Sequence, residues 1–139
     1  MPPSKTELLE ELAARWARGD RAAVEELRHP EVEIDMTVRV MNPEVYRGYE
    51  GLWRYAADIT ELWEYGETEV HRRIERGDEV LEIVTTPMRA RASGVEFAQP
   101  IAQRYRFEDG RVIRMTMLID VDRAVADFEA GRPPHPPDE

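Results

Sequence analysis

The segment YRFEDGRVIRMTMLID, residues 105–120, carries the clearest fold signal in this sequence. Asp109 and Gly110 form a dipeptide that favours the tight turn of a β-hairpin, and alternating apolar residues flank it on both sides. Two acidic residues, Asp120 and Asp122, follow the second strand and precede a short helical pattern. The segment therefore predicts two antiparallel strands and then a helix, with two carboxylates at the end of the sheet.

Apolar residues with the period of a strand recur on the N-terminal side of this hairpin. Residues 31–40 alternate strictly between apolar and polar side chains, which is typical of a strand. Further strands are predicted over residues 68–75, 79–92 and 95–107, with turns at Gly77 and Gly94. The second half of the chain is therefore expected to form a run of antiparallel strands.

Helical patterns dominate the first half of the chain. A capping box that begins at Ser4 opens a first helix, which Gly19 ends. Asp20 can cap a second, short helix that ends at Pro30, and residues 51–64 have the spacing of a third. Helices that precede a run of hairpins predict an α+β domain in which the helices pack on one face of the sheet.

Length and composition restrict the class of protein. The 139 residues fit one domain over residues 1–130, followed by a proline-rich tail, residues 131–139, that is expected to be disordered. The net charge of −10 argues against nucleic-acid and membrane partners, because both need a basic surface. The absence of cysteine and the scattered histidines predict that there is no metal site. Because the N-terminus lacks a signal-peptide pattern, a cytoplasmic protein is expected.

Three segments, in their order and spacing, resemble the cone-shaped α+β superfamily named after nuclear transport factor two. They are ARGDRAAVEELRHPEVEID (17–35), YRGYEGLWRY (46–55) and the hairpin segment 105–120. Within that superfamily, the chain is most similar to the SnoaL-like polyketide cyclase and ketosteroid isomerase branch, over almost its whole length.

The resemblance implies a curved, mixed but mainly antiparallel sheet that wraps round a conical pocket. Three helices from the first half would pack on its concave face, and a short helix would end the domain. Members of this branch commonly use a pocket carboxylate as a base on a carbon acid, with no metal and no organic cofactor. They are often dimeric through the outer sheet face, and a homodimer is expected here because Val80, Val84, Thr116 and Leu118 need cover on that face.

Position by position, the resemblance implies catalytic roles for Asp35, Asp120 and Gln103. Asp35 falls where ketosteroid isomerases have the aspartate that shuttles the proton, and Asp120 falls where SnoaL-like cyclases have an acid–base aspartate. Gln103 falls where the isomerases have a protonated aspartate that donates to the oxyanion. The tyrosine that assists it there is replaced by Leu12, so half of that oxyanion hole is missing.

The residue pattern leaves a second interpretation open for both aspartates. Asp120 falls on the polar side of its strand and could help to cap the last helix, a role that Asp122 can also fill. Asp35 shares a strand face with Glu33 and Thr37, as residues on a solvated face do. Each aspartate is therefore interpreted either as a catalytic base or as a structural residue at the surface.

Gln99 and Gln103 interrupt an otherwise apolar strand face. A buried amide without partners costs about 1–3 kcal/mol, so the two glutamines either bind an oxygen of a ligand or satisfy each other and nearby backbone. The other predicted ligand contacts lie on apolar stripes of the helices and the last strand, a position that fits a plain core equally well. They are Leu12, Trp16, Tyr55, Ile59, Trp63 and Met117.

Two functional hypotheses follow. The first is a small cofactor-independent enzyme that moves a proton next to a carbonyl in an apolar, oxygenated molecule such as a polyketide, steroid-like or terpenoid compound. Asp120 or Asp35 would be the base, and Gln103, together with Gln99, would hydrogen-bond the oxygen that becomes negative. The second is a non-catalytic module of the same fold that binds a small hydrophobic molecule or forms a dimer.

Overall fold

The computed structural model describes residues 3–39 and 43–135. Its four helices and its long strands follow the order that the sequence predicts, whereas the short strands at residues 45–47 and 63–65 are not predicted. The helices are α1 Lys5–Arg18, α2 Arg21–Leu27, α3 Gly48–Leu62 and α4 Val121–Glu129. The strands are β1 Arg28–Asp35, β2 Val45–Arg47, β3 Trp63–Tyr65, β4 Glu69–Arg76, β5 Glu79–Thr85, β6 Met88–Ala90, β7 Glu96–Phe97, β8 Pro100–Glu108 and β9 Arg111–Leu118.

Two sheets organise these elements. The larger has six strands in the order β2-β1-β9-β8-β5-β4, and the smaller has three in the order β3-β6-β7. β1 and β9 run parallel and the other neighbours run antiparallel, which makes the larger sheet mixed. The sheet is curved and unclosed, and the predicted α+β fold class is confirmed.

Local hydrogen bonds at the helix ends match the sequence signals. The Ser4 hydroxyl accepts a hydrogen bond from the Glu7 N–H at 3.1 Å, and the Glu7 carboxylate accepts one from the Ser4 N–H at 3.2 Å. Gly19 ends α1 at a φ of 70°, a left-handed conformation that glycine adopts at little cost. The Asp20 carboxylate then caps α2 by accepting from the Ala23 N–H.

The first long strand is shorter than its alternating sequence predicts. It begins at Arg28, so the second helix ends before Pro30 rather than at it, and it stops at Asp35. The reason is a local turn, in which the Thr37 N–H and hydroxyl both donate to Asp35 Oδ1, at 3.0 and 2.6 Å. The predicted last residue of that strand, Val40, lies outside the described residues.

Two other predicted strands are each divided in the structure. The segment 79–92 breaks after Thr85 into β5 and β6, and the segment 95–107 breaks after Phe97 into β7 and β8. A proline lies at each break, Pro87 and Pro100, and proline has no N–H to donate to a neighbouring strand. The chain therefore leaves the large sheet after β5, forms the small one, and returns at β8.

Helix α3 lies close to β2 because Gly51 has no side chain. A Cβ at this position would lie 2.9 Å from the Tyr46 carbonyl carbon, closer than van der Waals contact allows. Tyr46 and the next helix residue, Leu52, are both fully buried at this contact. The small residue therefore sets the distance between the helix and the edge of the sheet.

Helices cover both faces of the large sheet. We call the face beneath α1, α2 and α3 the inner face, and the face beneath α4 the outer face. The inner-face core includes Leu9, Leu12, Val24, Ile34, Leu52, Val80, Tyr105 and Met115. The outer-face core consists of Leu81, Ile83, Ala102, Leu118, Ala124 and Phe128.

The residues that motivate the predicted homodimer are buried within one chain. Val80 belongs to the inner-face core, and Leu118 packs with α4 in the outer-face core. Val84 and Thr116 are buried as well. These side chains need no second subunit to cover them, and the homodimer stays a prediction without that support.

Residues 131–135 of the proline-rich tail contact the domain, and the rest of the tail lies outside the described residues. Arg132 donates through Nε to Asp127 Oδ1 at 2.9 Å, and its carbonyl accepts from Arg104 Nη1 at 2.8 Å. His135 Nδ1 lies 3.3 Å from Asp127 Oδ2. The first part of the tail is thus held against α4 and β8.

Within the described ranges, none of the helices is both long enough and apolar enough to cross a membrane.

Candidate functional site

Asp35 lies on the opposite side of β1 from Ile34, which packs in the inner-face core. Its Oδ2 accepts a hydrogen bond from Arg114 Nη2 at 2.8 Å, and its Oδ1 accepts from the Thr37 hydroxyl at 2.6 Å. It lines a cavity of about 170 Å³ near the ends of β1 and β9, together with Thr116. Both carboxylate oxygens of Asp35 are therefore engaged by protein groups, on the outer face of the sheet.

Asp120 is exposed and is the N-cap of α4. Its Oδ1 accepts a hydrogen bond from the Arg123 N–H at 3.1 Å, and α4 begins at Val121. Of the two aspartates that the sequence offers as caps, Asp120 fills the position, because it directly precedes the first helical residue. The structure gives Asp120 a capping role, and its catalytic role stays a prediction.

The two glutamines occupy different environments. Gln99 is exposed in the break between β7 and β8, so it does not interrupt a buried strand face as the sequence predicts. Gln103 is half-buried on β8, and its Oε1 accepts a hydrogen bond from the Tyr105 hydroxyl at 3.0 Å. Among the described residues its amide N–H₂ group has no hydrogen-bond partner. Gln103 is therefore able to donate to a ligand on the inner face, whereas Gln99 lies in solvent.

A row of paired residues crosses the inner face of the sheet. Glu82 on β5 pairs directly with Gln103 on β8, which pairs with Met117 on β9. Paired residues project to the same side of a sheet, and Met117 packs against the inner-face core. Glu82 is only 6% exposed and its Oε2 accepts from Arg73 Nε at 2.6 Å. A carboxylate and an amide therefore lie side by side beneath the helices.

Tyr105 links this row to a buried cation, Arg28. Burial raises the pKa of the Tyr105 hydroxyl above its usual value, the Glu82 carboxylate acts in the same direction, and the Arg28 guanidinium opposes them. Burial also raises the pKa of the Tyr55 hydroxyl, again with Arg28 in opposition. Both phenols therefore stay protonated at neutral pH and remain neutral hydrogen-bond donors.

Arg28, the first residue of β1, is 7% exposed and lies under the helices. Its guanidinium carbon is 6.0 Å from the centre of the Trp16 ring system. Burial lowers the pKa of the guanidinium, and the nearby Tyr105 and Tyr55 act against that shift. Arg28, Glu82 and Tyr105 thus form a polar group inside an otherwise apolar region.

Only some of the predicted apolar ligand contacts lie near Arg28, Glu82 and Tyr105. Trp16 stacks on Trp53 at 5.8 Å and approaches Tyr55 at 6.4 Å, and both Trp16 and Tyr55 pack against the inner-face core. Leu12 is buried in that core, and Ile59 is half-buried on α3. Trp63 instead begins β3, where its ring packs edge-on against Phe97 at 5.5 Å.

Sequence patterns alone did not single out Arg28, Glu82 or Arg73. Glu82 offers one signal, since it is the only charged residue within the apolar run VLEIV of β5, residues 80–84. Arg28 offers none, because nothing in its local sequence distinguishes it and its burial depends on how the helices pack over β1. Among residues 3–39 and 43–135, no group of three or more acidic, histidine or cysteine side chains could hold a metal ion.

Comparison with known protein families shows the family of the chain. Residues 9–115 match the model of the SnoaL-like domain, and the chain belongs to that family. No curated protein matches the sequence. The predicted resemblance to the SnoaL-like and ketosteroid isomerase-like branch is confirmed.

Several solved structures have the same fold as this chain. A protein described as a SnoaL-like polyketide cyclase from a Jannaschia species is 19% identical, with 96% of this chain and 99% of that one covered and a TM-score of 0.67. A ketosteroid isomerase-like protein from Catenulispora acidiphila, in complex with trimethylamine, is 15% identical, with 94% and 96% covered and a TM-score of 0.70. TerC, co-crystallised with polyporic acid, is 20% identical, with 89% and 95% covered and a TM-score of 0.69. At these identities the likeness shows the fold alone.

Proposed function

We propose that this chain binds a small apolar molecule with oxygen substituents between its helices and the inner face of the large sheet. The observation that carries the proposal is the polar row in the middle of that face, where Glu82 and Gln103 lie side by side next to Tyr105. Glu82 and the Gln103 carbonyl oxygen have partners within the protein, whereas the Gln103 N–H₂ group has none among the described residues, so a ligand oxygen is the acceptor that would satisfy it. Apolar walls with a few convergent polar groups are typical of small-molecule sites.

Half-buried aromatic residues provide the apolar part of this site. Trp16 and Tyr55 lie on the sheet-facing sides of α1 and α3 but keep part of their surface accessible. The complexes of TerC with polyporic acid and of the Catenulispora protein with trimethylamine support a small-molecule site in this fold. The aromatic rings and the few polar groups of the inner face therefore favour the binding of a compact, apolar, oxygenated compound.

The first test compares an apolar ketone with its hydrocarbon. We expect 2-tetralone to bind more tightly than tetralin, because the Gln103 N–H₂ group can donate to the carbonyl oxygen. Gln103→Leu should weaken the binding of 2-tetralone about fivefold, the value of roughly one net hydrogen bond, and should leave tetralin unaffected. The dissociation constants can be measured from the quenching of tryptophan fluorescence.

The exposed Gln99 supplies a matched control for that experiment. Gln99→Leu removes the same amide from the same chain, and we expect it to bind both compounds as the natural protein does. Equal affinity for the ketone and the hydrocarbon in the natural protein would contradict the proposed site.

A second candidate function is cofactor-independent proton transfer next to a carbonyl, with Glu82 as the base. Like Asp35, Glu82 is held in an ion pair, but its carboxylate lies on the inner face beside Gln103, whereas Asp35 lies on the other side of β1 and Asp120 caps α4. Glu82 would remove the proton, and the neighbouring Gln103 amide would hydrogen-bond the resulting enolate oxygen. A neutral amide is a weaker donor than a protonated acid, so the expected turnover is modest.

This candidate predicts catalysed exchange of the α-protons of 2-tetralone in D₂O. Proton NMR should show that Glu82→Gln slows the catalysed exchange about 100-fold, the usual contribution of a general base. The double variant Glu82→Gln/Arg73→Met removes the unpaired Arg73 charge and serves to separate loss of the base from loss of folding.

Asp35→Asn and Asp120→Asn provide the controls, and we expect both to exchange at the rate of the natural protein. Full exchange in Glu82→Gln together with loss in Asp35→Asn would return the catalytic role to Asp35. An absence of catalysed exchange in the natural protein, with binding intact, leaves a non-catalytic binding module. The homodimer and the cytoplasmic location remain predictions from the sequence.

A further inference from the structure

Arg28 differs from Arg104, the other buried arginine of the large sheet, in having no hydrogen-bond or ion-pair partner among the described residues. The Arg104 guanidinium, 5% exposed, donates two hydrogen bonds to Glu79 and one to the Arg132 carbonyl. In Arg28, Nε and Nη1 are both buried without a hydrogen-bond partner. Within the described part of the chain, no carboxylate lies at ion-pair distance from Arg28. One sheet therefore contains one buried arginine that is fully paired and one that is not.

Among the residues that the structure describes, none supplies a counter-charge to Arg28. Its neighbours under the helices are the Trp16 ring and the phenols of Tyr55 and Tyr105, which are neutral because burial favours their protonated form. An aromatic ring 6.0 Å away is at the limit of a cation–π contact. A buried guanidinium with only neutral neighbours destabilises the folded state unless an anion joins it.

We infer that the molecule bound on the inner face carries a carboxylate, and that Arg28 is the residue that binds it. This inference rests on the proposed function, because it concerns the ligand of the same site. A guanidinium fits a carboxylate better than it fits a neutral oxygen, since its planar N–H groups match the two carboxylate oxygens. Trp16 and Tyr55 would contact the apolar body of the same ligand.

Because the protein is acidic overall, a preference for a carboxylate ligand would identify a local cation in the site. The chain has a net charge of −10, so an anion is repelled at long range and gains nothing from non-specific attraction. A preference for a carboxylate over a matched neutral compound must therefore arise from a local cation.

The test uses 2-naphthoate and its neutral analogue 2-naphthamide, with binding measured by isothermal titration calorimetry on the full chain. We expect the natural protein to bind the carboxylate at least about tenfold more tightly than the amide, as for a buried charge-assisted pair. Arg28→Met should abolish the preference, and Arg28→Lys should keep only part of it. Arg111→Met, which changes an exposed arginine on β9, should retain the full preference.

Thermal unfolding supplies a readout that does not need a ligand. Replacing an unpaired buried charge by an apolar side chain of similar length should raise the melting temperature of the free protein in Arg28→Met. The natural protein should gain more in melting temperature from 2-naphthoate than this variant does.

Each result decides the inference separately from the proposed function. If 2-tetralone and 2-naphthamide bind but 2-naphthoate binds no better, the binding site stands and the role of Arg28 is wrong. If 2-naphthoate binds with full preference in Arg28→Met, the role of Arg28 is also wrong. If none of the three compounds binds, both proposals fail. If the natural protein prefers the carboxylate and Arg28→Lys loses part of that preference, the inference holds even where Arg28→Met does not fold.

Discussion

Alanine in place of Phe128 is expected to lower the free energy of unfolding by about 3–5 kcal/mol, the usual cost of removing a buried phenylalanine ring. Phe128 is 0% exposed and packs in the outer-face core with Leu81, Ala102 and Leu118. Its ring also lies 5.1 Å from the Arg104 guanidinium carbon, which adds a cation–π contact. A cavity would therefore open between α4 and the sheet. Urea unfolding followed by circular dichroism measures the change.

Val125 on the same helix provides the control for this measurement. It is half-buried at the edge of the same core, so Val125→Ala should cost clearly less than Phe128→Ala. If Phe128→Ala instead costs less than about 1 kcal/mol, the helix does not pack on the outer face as described.

The position of α4 also bears on where a ligand can bind. α4 and the first part of the tail cover the middle of the outer face, and the cavity of about 170 Å³ beside Asp35 lies on that face. The inner face is the better candidate for a site because the Gln103 amide there keeps an unused donor. Asp35 and Asp120 illustrate the difference, since one is engaged in an ion pair and the other caps a helix. Family position alone therefore directs attention to acids that are already occupied by structural contacts.

Local sequence signals predicted the elements of this fold well. The hairpin at Asp109 and Gly110, the capping box at Ser4 and the glycine end of α1 each depend on interactions within a few residues. Such short-range interactions are readable from the sequence because the partners are neighbours along the chain. The order of the helices and the long strands followed from them, but the short strands β2 and β3 did not.

Strand ends and side-chain environments were harder to predict because they depend on distant partners. Gln99 and Gln103 share the parity of one apolar strand, yet the break before Pro100 puts Gln99 in solvent and leaves Gln103 under the helices. Arg28 gives no local signal at all, since its burial results from the packing of α1 and α3 over β1. The polar group of the inner face is therefore a property of the tertiary structure.

Removal of Glu79 is the second change for which a large effect is expected. Its two carboxylate oxygens accept from Arg104 Nε and Nη2, at 2.8 and 2.9 Å, in a bidentate pair. The Arg104 side chain is 5% exposed, so Glu79→Ala would leave a buried cation without its anion. We expect a loss of about 3–5 kcal/mol in the free energy of unfolding, measured by urea unfolding at neutral pH.

A double variant separates the cost of an unpaired charge from the value of the pair itself. Glu79→Ala/Arg104→Met contains neither charge, and we expect it to be clearly more stable than Glu79→Ala, because an apolar side chain replaces the orphaned guanidinium. The surface pair of Glu11 and Arg15 on α1 is the control, and Glu11→Ala should change stability by about 0.5 kcal/mol or less. If Glu79→Ala costs no more than Glu11→Ala, then Arg104 finds water or another acceptor when Glu79 is lost. In that case an unpaired Arg28 would not by itself indicate a missing anion, so the same measurement tests the physical basis of the carboxylate site.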